Sequence, residues 1–347
     1  MGGEIVTFGE IMGRISPPGM KRLVQSMPGA MEMTFAGAEA SVAMSLAYLG
    51  ARAAFVTAVP DHAVADAVVA NLMAVGVETR HIVRTAEGRL GLYFYEKGAN
   101  QRAASVIYDR EGSSVSVTPA TAYDWGGIFA GAEWFLVSGI TPAISRNAAE
   151  VTRVAMAAAA AQGVKIACDM NYRSKLWQWD APTPARELAT RTMRGLMPMV
   201  DLFIGGREDA IAILSDGAAE ATNEDLARRI CAAFPRVKRV AMTMREGLSA
   251  SQQSFGGLLY DAAVDRAWSE GLYLISDVVD RLGAGDAFTA GLLFALTTAG
   301  LEAPSNAIAF ATAAGCLAHS IEGDFNYCSR AEIEGLVAGS GGGRVSR

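Results

Sequence analysis

Asp280-Arg281-Leu282-Gly283-Ala284-Gly285-Asp286-Ala287-Phe288 closes the apolar run Leu272–Val279 and opens directly into AFTAGLLFALTTAG, residues 287–300, a stretch with helical composition. Small residues at 283–285 let the chain turn sharply and bring backbone N–H groups close to a ligand. The helix that follows points its positive end at the same spot, so the segment is built to hold an anion. A carboxylate at position 286 competes with that anion unless it has a proton to accept. The pattern therefore points to Asp286 as a general base for a hydroxyl, with the amides of Gly283, Ala284, Gly285 and Asp286 holding developing phosphoryl charge. Read alone, Asp286 is equally an ordinary acid at a helix start, worth roughly 1 kcal/mol.

Outward from this segment, short β-rich runs alternate with helical ones. Strands are expected at Glu4–Gly9, Ala53–Val59, Trp134–Ser138, Lys165–Asp169, Asp201–Ile204 and Arg239–Thr243. Helices are expected at Ala38–Leu49, Ala63–Val75, Arg146–Ala161, Asn223–Ala233, Gly285–Ala299 and Ser305–Ser320, several of them stopped by glycine. Strand–helix–strand repetition implies an α/β fold, a three-layer Rossmann-like sandwich around a parallel sheet. Two stretches break the rhythm. Residues 11–36 carry Pro17, Pro18, Gly19 and Pro28, and residues 86–118 hold RLGLYFYEKG and SVIYDREGSSVS, two antiparallel strands joined by a polar loop. Both are assigned to a small β lid over a cleft. The α/β core is then 1–10, 37–85 and 119–338, and 339–347, with GSGGGR, is a mobile tail.

The chain has 347 residues, a formal net charge of -6, 51% hydrophobic and 19% charged residues, which is globular and argues against nucleic acid as a partner. The four cysteines show no CxxC spacing and three scattered histidines make no zinc pattern. MGGEIVTFGE lacks the layout of a signal peptide, and no apolar run approaches the roughly 18 residues of a membrane span, so a cytoplasmic protein is expected. GxxxxGK[ST], HRD…DFG and GxGxxG after the first strand are all missing, which sets aside P-loop kinases, protein kinases and dinucleotide dehydrogenases.

Asp280–Asp286 resembles the C-terminal signature of the PfkB, ribokinase-like, carbohydrate kinases, D-T-x-G-A-G-D, with Arg281 in place of Thr. Phe35–Ala43 resembles the family's glycine-rich segment, with Ser41 in place of Asn. FGEIMGRISPPG, GITPAIS (139–145), ACDMNYRSKLW (167–177) and HSIEGDFN (319–326) are similar to the 2-keto-3-deoxygluconate kinase branch. The resemblance implies ATP, Mg²⁺ and a possible K⁺ requirement, and transfer to the primary hydroxyl of 2-keto-3-deoxy-D-gluconate to give the 6-phosphate. It implies sugar contacts from Gly37, Ala38, Tyr93, Tyr108, Arg110, Asn171 and Arg173, with the arginines facing the carboxylate. It implies nucleotide contacts from Thr243, Arg245, Gly283, Gly285 and Gly323. The family's metal-organising N-x-x-E falls on Gly206-Arg207-Glu208-Asp209, which leaves Asp209 as the metal candidate, and Asp280 is the candidate for a monovalent cation. A homodimer paired through the lids is also implied. A kinase for a neutral sugar such as fructose and a sugar- or nucleotide-binding regulator without turnover are the alternatives. Chemistry favours the acid, because an arginine fork matches a carboxylate and tyrosine offers a flat face with a hydroxyl.

Overall fold

The computed structural model describes residues 2–215 and 220–339. The tail expected to be mobile falls, from residue 340 on, outside the described residues. The strands are β1 (Glu4–Phe8), β2 (Met12–Ser16), β3 (Glu32–Ala36), β4 (Ala53–Pro60), β5 (Ile82–Thr85), β6 (Gly91–Glu96), β7 (Ser105–Asp109), β8 (Ala132–Ser138), β9 (Lys165–Asp169), β10 (Leu202–Gly205), β11 (Arg239–Gly247), β12 (Gln253–Asp261) and β13 (Arg266–Ile275).

Nine of them form one sheet in the order β13-β12-β11-β10-β9-β8-β1-β4-β5. From β11 to β5 every pairing is parallel, while β12 and β13 extend the edge as an antiparallel hairpin. The parallel strands are apolar on both faces because each face is covered by helices. Side chains alternate between two clusters, as a period of two requires. Val6, Phe8, Phe135, Val137, Ile166, Cys168, Phe203, Val240 and Met242 enter one cluster, with the helices Arg146–Ala161, Ala185–Leu196 and Asn223–Ala233. Ile5, Trp134, Leu136, Ala167, Leu202, Ile204 and Ala241 enter the other, with Ala38–Tyr48, Ala284–Leu296 and Pro304–Ala318. This is the expected α/β architecture.

The chain runs outward from β1 through β4 to β5, then returns to the other side of β1 with β8 and runs outward again. That reversal makes a switch point, and the crevice beyond the strands' carboxyl ends is the place for ligands. A second sheet, in the order β3-β2-β6-β7, stands beside this end. The hairpin read from residues 86–118 is β6 and β7, with Tyr93 opposite Tyr108. Residues 11–36, irregular in sequence, supply two further strands, β2 and β3. Cys168, Cys231, Cys316 and Cys328 are free thiols. Among the described residues no helix is long and apolar enough to cross a membrane.

Candidate active site

Helix Ala284–Leu296 begins at Gly283, whose φ of 78° lies in the left-handed region. A Cβ there would come within 2.1 Å of the Asp324 carbonyl oxygen, so both the turn and the close approach require glycine. No side chain caps this helix, so the amides that open it have no intrahelical acceptor. The uncapped amides on which the anion-binding expectation rests are thus present in the backbone. Beyond Asp286 the helix is apolar except for Thr289, with Phe288, Ala290, Leu292 and Leu293 buried between the main sheet and helix Pro304–Ala318.

Two cavities open on this helix end. The larger, about 590 Å³, runs along the carboxyl ends of β9, β10 and β11, past Asp169, Gly205 and Thr243. The smaller, about 80 Å³, lies under the four-stranded sheet, past Tyr93, Tyr108 and Gly37. Asn171, Arg173, Leu282, Gly283 and Asp286 line both. Asp286 therefore stands where two ligands, one in each cavity, would meet.

Burial raises the Asp286 pKa well above that of an ordinary aspartate, and the nearby Asp169 raises it further. Asp169 ends β9, receives the Asn171 amide at 3.2 Å and the Thr289 hydroxyl at 3.3 Å, and is pushed up to about 7 by burial and by Asp209. A carboxyl whose pKa is raised holds an accepted proton more firmly than an ordinary aspartate does, which suits Asp286 to taking one from a hydroxyl. Arg173 faces this acidic floor at the junction of the cavities, following Asn171, whose φ of 37° turns the chain toward it.

The sequence-derived candidates sort clearly. Thr243, Arg245, Gly285 and Asp209 line the larger cavity. Gly37, Ala38, Tyr93, Tyr108 and Arg110 line the smaller. Gly37 must lack a side chain because a Cβ would lie 2.0 Å from the Glu10 carbonyl oxygen. Its helix is held by Glu39, which accepts from the Ser138 and Thr141 hydroxyls at 2.6 and 2.8 Å. Ala284, Asp280 and Gly323 line neither cavity. Asp280 is buried behind the loop, and Gly323 gives its amide to it at 3.3 Å.

Three expectations change in detail. Arg110 is not an open fork: its Nε and Nη2 both donate to Glu10 Oε2, deep under the small sheet, although the residue still lines the small cavity. Asp209 gives Oδ2 to the Gly206 amide at 3.0 Å, closing the first turn of helix Arg207–Leu214. Among the described residues no three His, Cys, Asp or Glu side chains converge as a metal centre. Asp280 is engaged by an arginine rather than left open to a cation.

Glu10, Arg14, Asp324 and Arg281 carry more than the sequence reading gave them. Glu10 follows β1, lines the small cavity and has a buried oxygen, Oε1, with no hydrogen-bond partner. Arg281 lines the large cavity and donates to Gln253 Oε1 at 3.0 Å. A charge directly after a core strand at a switch point is the signal that marks Glu10. Arg281 is visible only by its place beside Gly283.

Comparison with known proteins agrees with this geometry. The model of the pfkB family of carbohydrate kinases matches residues 3–328. A 2-dehydro-3-deoxygalactonokinase of Haloferax volcanii is 32% identical over 99% of both chains. A 2-dehydro-3-deoxygluconokinase of Bacillus subtilis is 26% identical over 84% of this chain and 82% of its own. The crystal structure of a 2-dehydro-3-deoxygluconokinase from Thermotoga maritima superposes with a TM-score of 0.89 at 35% identity, covering 97% of this chain and 99% of that one. A family model that spans nearly the whole chain, and a relative 32% identical along its full length, show that the chain belongs to the pfkB family of carbohydrate kinases.

Proposed function

We propose that the protein transfers the γ-phosphoryl group of MgATP to the primary hydroxyl of a 2-keto-3-deoxy sugar acid, 2-keto-3-deoxy-D-gluconate in the first instance, giving the 6-phosphate and ADP. The observation that carries this reading is the junction of the two cavities at Gly283 and Asp286. The triphosphate would occupy the larger cavity beside Thr243, Arg245 and the 283–286 amides. The sugar would lie in the smaller one, between the Tyr93 and Tyr108 rings and the Gly37 backbone. Asp286 takes the hydroxyl proton as the oxygen–phosphorus bond forms and the bond to ADP breaks. The amides stabilise the transferred group, and the small sheet keeps water from competing. Asp169, Glu208 and Asp209, among the acids that line the larger cavity, would hold the hydration shell of a Mg²⁺ ion, which would neutralise phosphate charge there.

Acid recognition falls on Arg173 and Arg110, which both line the smaller cavity. Glu10 offsets part of Arg110's charge, which makes the choice between an acid and a neutral sugar the point to test. ADP release with MgATP, measured over both epimeric 2-keto-3-deoxy acids, fructose and ribose, should favour an acid by at least about 100-fold in kcat/KM. A higher value for fructose would discard the acid. The homodimer is proposed through the small sheet, whose outer strands expose Met33 and Ile107. Light scattering on Ile107→Glu should then show a monomer, and an unchanged oligomer would remove this surface from consideration.

A further inference from the structure

Arg14, on β2, is the most deeply buried arginine in the network around the helix end, with 2% of its side chain exposed. Its Nη2 donates to Asp280 Oδ2 at 2.5 Å and its Nη1 to Asp324 Oδ1 at 2.7 Å. Its guanidinium also lies 4.4 Å from the centre of the Tyr95 ring on β6. Asp280 Oδ1 is taken by the amides of Arg281 and Leu282, at 2.8 and 3.2 Å, and the Gly323 amide shares Oδ2. The Tyr93 hydroxyl donates to Asp324 Oδ1 at 2.8 Å. One side chain of the small sheet therefore joins the 280–283 loop to the 323–324 loop. Those loops meet where Gly283 packs on the Asp324 carbonyl, which sets the position of the anion-binding amides.

Two carboxylates removed from water need a compensating cation, and leaving either one unpaired would be strongly unfavourable. Burial alone would lower the Arg14 pKa, but Asp324 and Asp280 hold it above the ordinary arginine value, so the guanidinium is permanently charged. A monovalent metal ion at Asp280 does not fit beside it, because both oxygens of that carboxylate already have donors.

We propose that Arg14 is a built-in cation that does the work of a monovalent metal ion at this loop, so that phosphoryl transfer by this chain is independent of K⁺ and Na⁺. Arg14 is a positioning residue: it acts on the reaction by fixing the loops that present the 283–286 amides. The placement follows from a covalently attached charge, which cannot dissociate and which links the sheet over the sugar to the helix end.

The test compares the wild type and Arg14→Ala in tetramethylammonium salts at constant ionic strength, with ATP as its Tris salt and KCl raised from zero to about 100 mM. ADP release on the best sugar of the panel and thermal melting without substrates are both followed. The wild type should change less than about threefold in kcat, and Arg14→Ala should fall at least about tenfold. KCl or guanidinium chloride should restore the variant at least about threefold and raise its melting temperature, while the wild-type melt stays put. K⁺ activation of the wild type beyond threefold overturns the proposal. So does a folded Arg14→Ala that ignores every cation in both readouts. If Arg14→Ala does not fold, the wild-type titration decides alone. A chain with no turnover on any sugar would fail the kinase reading instead, and the melting comparison would still judge Arg14.

Discussion

Replacing Asp169 by Asn separates the electrostatics of the site from its shape. The Asp169 carboxyl is pushed up to about 7 by burial and by Asp209, against an ordinary 3.8. The folded chain therefore holds this proton more tightly than the unfolded chain does. Its stabilising effect is complete below the unfolded pKa and is lost as pH rises through the folded one, a window from about pH 4 to about pH 7. At about 1.4 kcal/mol per unit, the loss is at most roughly 4 kcal/mol. Asn keeps the shape without the charge. It still accepts the Asn171 amide, and the Thr289 hydroxyl must turn to accept from it, a pH-independent cost of about 1 kcal/mol. Melting both proteins without ligands from pH 5 to 8.5 should show their difference swinging toward the variant as pH rises, reaching a gain of up to about 4 °C above pH 8. Removing the Asp169 charge should also lower the Asp286 pKa and move the acid limb of kcat/KM to lower pH. A melting difference that does not vary with pH would refute the reasoning, because the buried charge would then be absent from the folded protein.

Asp286→Asn should cut kcat by about 10²–10⁴ while calorimetry still detects nucleotide and sugar binding, and near-normal turnover would rule out the base. Gly283→Ala forces a left-handed φ costing about 1–2 kcal/mol and drives a methyl into the Asp324 carbonyl. Its kcat should fall at least about 100-fold with a smaller change in KM, measured by ADP release. Arg110→Ala leaves Glu10 as an unpaired buried charge and should destabilise by about 3–5 kcal/mol in urea unfolding. Adding Glu10→Gln should recover much of that stability but not turnover of the acid, and recovery of both would place acid recognition elsewhere.

The core was legible because its signals are local. Helices Arg146–Ala161 and Asn223–Ala233 and strand Lys165–Asp169 fall where pattern and glycine stops put them. The antiparallel pair β12 and β13 was passed over. Gly256 and Gly257 interrupt the first strand, and Glu270 and Gly271 break the alternation of the second. Helix Ala185–Leu196 was hidden by the proline-containing turn before it, and β3 by its mostly exposed edge. In the site, Gly283 and Asp286 could be found because backbone needs and side-chain chemistry show in short words of sequence, whereas Tyr93 and Tyr108 were named through the family resemblance. Arg14 could not be found. A charge in a short strand reads as surface, and its partners Asp280 and Asp324 lie 266 and 310 residues away. Ion pairs that close over such separations have no local pattern.

Helix Ala284–Leu296 is buried along most of its length in the main core, whereas the four-stranded sheet packs through a small cluster of its own, Met12, Ala36, Tyr93 and Tyr95. On the proposed function, the sheet over the small cavity and the helix end are separate packing units joined through Arg14 and Tyr93, so a substitution in the strands that spares those two side chains reshapes the acceptor's cavity without pulling on the 283–286 amides.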